Sequence, residues 1–99
     1  MLEIQKKQNS NALVLALQGR LDTTTAPQLE ETLKDSLDSV TELTLDFADL
    51  QYISSAGLRV LLAAQKTMNK QGSMKLCHVN SDIMEVLEIT GFADILTIE

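Results

Sequence analysis

Two adjacent serines, Ser54 and Ser55, stand where Leu50-Gln51-Tyr52-Ile53 gives way to Ala56-Gly57-Leu58. At a junction of strand and helix, one hydroxyl can accept an N–H from the first helical turn, a cap worth about 1 kcal/mol. It can also act as a nucleophile where a histidine and a carboxylate activate it. That second chemistry is poorly supplied here. His78 is the only histidine, at a predicted strand end where a packing or surface role is expected, and Ile53 occupies the place of the first glycine in a G-x-S-x-G elbow. No C-x-x-C, H-E-x-x-H, P-loop lysine or G-x-G-x-x-G occurs. Cys77 lies in an apolar stretch and reads as a small core side chain rather than a reactive thiol. Met68, Met74 and Met84 read as gap-filling core residues. The residues point to binding rather than catalysis, with no catalytic group, metal or cofactor expected.

The elements that would position the serines follow from periodicity. Leu2-Glu3-Ile4-Gln5-Lys6 alternates as a half-exposed strand does, and Ala12-Leu13-Val14-Leu15-Ala16-Leu17 is nearly all apolar. The pair predicts a hairpin whose second strand is buried on both faces. Gly19 opens a loop from Arg20 to Thr24. Thr25 with Gln28 has the capping-box pattern, and Pro27 suits the first turn of a helix whose stripe is Leu29, Leu33, Leu37 and Val40. Leu43-Thr44-Leu45-Asp46-Phe47 predicts a strand leading into Ala48–Ile53. Ser54-Ser55-Ala56-Gly57 then opens a helix to about Asn69, apolar on most sides, that must pack on a sheet and be partly covered by something else. Gln71-Gly72 ends it, and Met74–Val79 is a further strand. Asn80 or Ser81 caps a third helix with Ile83, Val86 and Leu87, closed by Gly91, and Ile95–Ile98 is expected as a last strand.

This order, β-β-α-β-α-β-α-β, predicts an α/β fold. Its sheet is mixed and mostly parallel, with an antiparallel N-terminal edge strand and right-handed crossovers. The expected core is Leu13, Val14, Leu15, Leu43, Leu45, Leu76 and Val79 from strands, with Leu29, Leu33, Leu61, Leu62 and Leu87 packed on them.

At 99 residues the chain fits one domain spanning positions 1–99. A hydrophobic share of 44% with 22% charged residues argues against disorder. No apolar run approaches the ~20 residues of a membrane span, and the first residues lack the pattern of a secretory signal. A single cysteine excludes an internal disulfide and suits a reducing, cytoplasmic setting. Fourteen acidic against eight basic side chains give a formal charge of −6, which repels phosphate backbones and argues against direct nucleic-acid binding. A monomer without membrane contact is expected.

Two motifs together resemble those of the STAS domain, in particular the small anti-sigma-factor antagonists of bacteria. One is Leu43–Phe47, Asp49-Leu50, Tyr52-Ile53 and Ser55-Ala56-Gly57-Leu58; the other is Leu17-Gln18-Gly19-Arg20-Leu21-Asp22, matching the family's Gly-x-Leu-Asp loop. The resemblance covers essentially the whole chain, through Ile89-Thr90-Gly91-Phe92. It implies a phosphorylation switch in signal transduction and transcription regulation. The unphosphorylated form would bind an anti-sigma factor, typically a serine kinase, and free its sigma factor. Phosphorylation would end that interaction, and a metal-dependent serine phosphatase would restore it, a partner-switching cycle.

The family's phosphorylatable serine maps to Ser55 because its glycine maps to Gly57. Many members have aspartate where this chain has Ser54, which leaves Ser54 as the alternative acceptor. The implied docking surface comprises Gly19, Asp22, Asp46, Tyr52, Ile53, Ser54, Ser55, Ala56, Gly57, Leu58 and Arg59, with Asp22 and Asp46 framing the serine. A phosphate there is locally tolerated, since free N–H groups and the helix dipole favour an anion and Arg59 lies one turn on. A partner fitted to an uncharged hydroxyl would instead bury unmatched charge. The alternative is a constitutive STAS scaffold or regulatory subunit of a larger assembly, not controlled by phosphorylation.

Overall fold

The computed structural model describes residues 1–99. The chain runs β1 (Leu2–Asn9), β2 (Ala12–Leu21), α1 (Ala26–Ser36), β3 (Glu42–Ile53), α2 (Ser55–Gln71), β4 (Ser73–Cys77) and α3 (Ser81–Ile89), then a short 3₁₀ turn at Phe92–Asp94. The strands lie in the order β1-β2-β3-β4, with β1 antiparallel to β2 and the remaining pairs parallel. This is the mixed α/β sheet expected from the sequence.

Each parallel step moves to the next strand in the same direction, so right-handed crossovers place α1 and α2 on one face. Burial follows that layering. Leu13, Leu15 and Leu17 of β2, Leu43, Leu45 and Phe47 of β3, and Met74 and Leu76 of β4 are all buried. Ala12, Val14, Ala16, Thr44 and Asp46, alternating with them, are only half-buried on the uncovered face. β2 is therefore not buried on both faces, despite its apolar run, because no helix covers the second one. Val14 falls outside the core for this reason, Val79 packs only at its margin, and Leu62 is half-exposed on α2. The other expected core residues, Leu29, Leu33, Leu61 and Leu87 among them, are buried.

β3 is one strand of twelve residues rather than a strand with a separate lead-in. Its buried positions are Leu43, Leu45 and Phe47, then Leu50 and Ile53, so a period of two becomes a period of three. The register explains the change. Ala16 pairs with Asp46 but Gln18 with Asp49, and Gly19 pairs with Leu50 but Arg20 with Tyr52. β3 thus carries one extra residue at each of two bulges, and the three-residue spacing returns Leu50 and Ile53 to the core.

β2 likewise continues through Gly19 to Leu21 instead of ending in a loop at Gly19. Gly19 has φ +104°, and a Cβ there would collide with the Met1 carbonyl oxygen. Glycine is what allows the chain start to close over β2 at this point.

Asn80 caps α3 through its side-chain oxygen, which accepts from the Ile83 N–H at 2.9 Å, while its amide donates to the Leu50 carbonyl at 2.9 Å. One side chain thereby ties α3 to the bulged part of β3. The expected last strand is absent. Ile95 and Leu96 donate to the Phe92 carbonyl and belong to the preceding turn, leaving a single bridge from Ile98 to Leu76. No helix is long and apolar enough to cross a membrane.

Candidate functional site

The structure gives the two serines different work. Ser54 is the N-cap of α2, extended at φ −101° and ψ 175°, and its Oγ accepts from the Gly57 N–H at 3.4 Å. Its own N–H donates to the Leu21 carbonyl at 2.9 Å, fastening the turn to the end of β2. Ser54 is half-buried; Ser55, the first helical residue, is exposed. The Ser55 hydroxyl points into no intramolecular hydrogen bond, and the N–H groups of the first turn around it have no carbonyl partner of their own. Arg59, one turn later, is exposed and takes part in none of the ion pairs of the fold.

Beside this turn, Arg20 and Tyr52 are cross-strand partners at the ends of β2 and β3. The Arg20 guanidinium sits 4.2 Å from the centre of the Tyr52 ring, and its Nε lies 3.7 Å from Asp22 Oδ2. Tyr52 remains 41% exposed, an aromatic surface next to the serines. Arg20 lies within the Gly19–Asp22 motif but not among the side chains that the sequence assigned to docking. Its pairing with Tyr52 depends on both bulges in β3, which residue spacing alone does not reveal.

Asp22 closes the β2–α1 loop. Its Oδ1 accepts from the N–H of Thr24 at 3.0 Å and of Thr25 at 3.1 Å, and from the Thr24 hydroxyl at 2.8 Å. Thr25 is the nominal N-cap of α1 but makes no side-chain cap; its hydroxyl instead donates to the Arg20 carbonyl at 2.8 Å. Gln28 reaches the Leu2 carbonyl at 3.1 Å, so the expected capping box does not form.

The Thr24 hydroxyl foremost, with the Thr25 and Thr24 N–H groups and against the opposing pull of desolvation, lowers the Asp22 pKa from 3.8 to about 2. A carboxyl whose folded pKa is depressed stabilises the fold above its unfolded value, and that contribution is lost as pH falls through the folded one. The loop should therefore hold down to pH 3.8 and loosen as pH drops toward about 2. An NMR titration of the Asp22 carboxyl should show the low midpoint, and Thr24→Val should raise it. An unshifted wild-type midpoint would contradict this loop geometry.

Asp46 does not join the cluster. It faces the uncovered side of the sheet, seven residues before Ile53 and so roughly 20 Å back along β3. Its Oδ1 accepts from the Ala48 N–H at 3.0 Å and lies 2.9 Å from His78 Nδ1. The Ala48 N–H foremost, then His78, hold its carboxyl below the usual range. Neither Asp22 nor Asp46 bonds to a serine. Gly19 is half-buried under the chain start, and Ile53, Gly57 and Leu58 are buried beneath the turn, so they position it rather than present side chains. Tyr52, Ser55 and Arg59 are exposed and Ala56 half-exposed.

Gly57 stands where an added side chain would press into the core. A Cβ would lie 2.7 Å from Leu21 Cγ and 3.0 Å from Ile53 Cγ1. The close approach that requires glycine is inward, to the core. Gly57→Ala should cost about 1–3 kcal/mol by overpacking, read as a lower denaturant midpoint. An unchanged midpoint would mean that the helix start has room to move.

A family model for the STAS domain matches residues 3–99. BtrV of Bordetella bronchiseptica, named as a candidate anti-sigma factor antagonist, is 40% identical over 87% of this chain and 76% of its own. The anti-sigma-B factor antagonist of Bacillus subtilis is 32% identical over 98% of this chain and 90% of its own. Among solved structures, the antagonist SpoIIAA in its unphosphorylated form matches with a TM-score of 0.78 at 18% identity, over 98% of this chain and 87% of that one. Its phosphorylated form matches with a TM-score of 0.76 at 18% identity, over 98% and 91%. The two motifs, the sheet order and the serine turn thus have one source: this chain belongs to the STAS domain family.

Proposed function

We propose that this protein is a cytoplasmic anti-sigma-factor antagonist that works by partner switching and not by catalysis. Unphosphorylated, it binds an anti-sigma factor with serine kinase activity and displaces the sigma factor. Phosphorylation of Ser55 by that kinase ends the interaction, and a metal-dependent serine phosphatase resets it. The docking face is the exposed surface around the α2 start: Tyr52 with Arg20, Ser55, Ala56 and Arg59.

The observation that carries this reading is the division of labour between the serines. Ser54 is half-buried and spent on the cap, whereas Ser55 is exposed and its hydroxyl is unengaged. A kinase can reach Ser55 without undoing the turn. The added phosphate brings about −1.5 to −2 charges. Free N–H groups at the helix start and Arg59 accommodate that charge within the domain. A partner packed over the same spot has no such compensation. The names of the relatives support the same assignment.

Incubation with an anti-sigma serine kinase and ATP, followed by intact-mass and fragment-mass measurement, tests the assignment. The expected product carries one phosphate, on Ser55; Ser54→Ala still accepts it and Ser55→Ala does not. Phosphate on Ser54 would move the switch by one residue. Modification of neither serine would favour a constitutive scaffold.

A further inference from the structure

Cys77 and His78 are consecutive, and on a regular strand consecutive side chains point to opposite faces. Here they converge. Cys77 ends β4 directly opposite Asp46 in the parallel ladder. His78 then adopts the left-handed conformation, φ +58°, which folds its ring back over β3. Histidine is among the non-glycine residues that enter this region most readily. The result is that a carboxylate oxygen, a thiol sulfur and an imidazole nitrogen lie within 4.8 Å of one another. His78 Nδ1 is 2.9 Å from Asp46 Oδ1.

The geometry points to a divalent-metal site of the zinc class, with Asp46 Oδ1, Cys77 Sγ and His78 Nδ1 as its three protein ligands. Thiolate and imidazole donors select zinc-like ions over magnesium or calcium, which require oxygen ligands. Three protein ligands leave a fourth tetrahedral position for water, and the His78 side chain is 66% exposed, so that position opens to solvent.

The nearby Lys75 is engaged by Glu99 at 3.4 Å. Metal uptake releases the Cys77 proton to solvent and replaces the direct Asp46–His78 contact with two bonds to the ion. The site clips β3 to β4 on the uncovered face, away from Ser55, and does not depend on the proposed switch.

The test is titration of the chelator-treated protein with Co²⁺ and Zn²⁺. Co²⁺ should give the absorption of a tetrahedral ion with a thiolate-to-metal charge-transfer band. Native mass spectrometry should show one Zn²⁺ per chain. Cys77→Ser should abolish the band. Asp46→Asn, which keeps the acceptor for the Ala48 N–H, and His78→Ala should each weaken Zn²⁺ binding roughly tenfold or more. Circular dichroism of the metal-free variants should match the wild type, which separates ligand loss from misfolding. Absence of the charge-transfer band, or an unchanged Zn²⁺ affinity in either Asp46→Asn or His78→Ala, would overturn the site.

Discussion

Leu45→Ala should lower the stability of the fold by about 2–5 kcal/mol. Leu45 is fully buried in the first half of β3, in a cross-strand row with Leu15 of β2 and Leu76 of β4, both also fully buried. Truncation leaves a cavity that β2, β3, β4 and the helix layer cannot close, because each neighbour is held by its own ladder. A domain of this size has about 5–15 kcal/mol in all, so the variant would approach the limit of folding. Val14→Ala, one residue removed from Leu15 but on the uncovered face, should cost clearly less. Denaturant unfolding of the two variants measures the contrast. A loss under about 1 kcal/mol for Leu45→Ala would contradict the layer assignment.

Ser55→Asp should fold like the wild type and fail to dock. A carboxylate in the first turn of a helix is favoured by up to about 1 kcal/mol, so the melting temperature should be held or slightly raised. Binding to the anti-sigma kinase should nevertheless weaken at least tenfold, about 1.4 kcal/mol. Ser55→Ala carries no charge and should remain bound in the presence of ATP, conditions under which the proposed switch would modify and release the wild type. Calorimetric binding alongside thermal melts separates the two effects. A Ser55→Asp protein that binds as tightly as the wild type would place the docking face elsewhere.

The fold was legible where one physical cause dominates a segment. Leu29, Leu33, Leu37 and Val40 mark one face of α1 and its exit, and all four are buried. Asn80 as the cap of α3 and Gly91 just beyond its end, at φ +83°, stand where capping chemistry puts them. Legibility ended where a residue's role depends on a distant strand. The apolar run of β2 does not say how many faces are covered; the direction of the crossovers does. The shift from Phe47 to Leu50 to Ile53 looks like the end of a strand until two bulges are counted against β2.

The candidate site divides the same way. That one of the two serines caps α2 was readable from their neighbours; that it is Ser54 came from the structure. The Arg20–Tyr52 pair and the remoteness of Asp46 follow from the bulged register, and the inward demand on Gly57 follows from packing against Leu21 and Ile53.

The central claim is that one phosphate on Ser55 converts a binding surface into a non-binding one without unfolding the domain. Its most direct measurement is a calorimetric titration of the anti-sigma kinase with unmodified protein and with protein phosphorylated on Ser55. The account predicts saturable binding of the unmodified form, at least tenfold weaker binding of the phosphorylated form, and closely similar melting curves for both. Equal affinity of the two forms would contradict it.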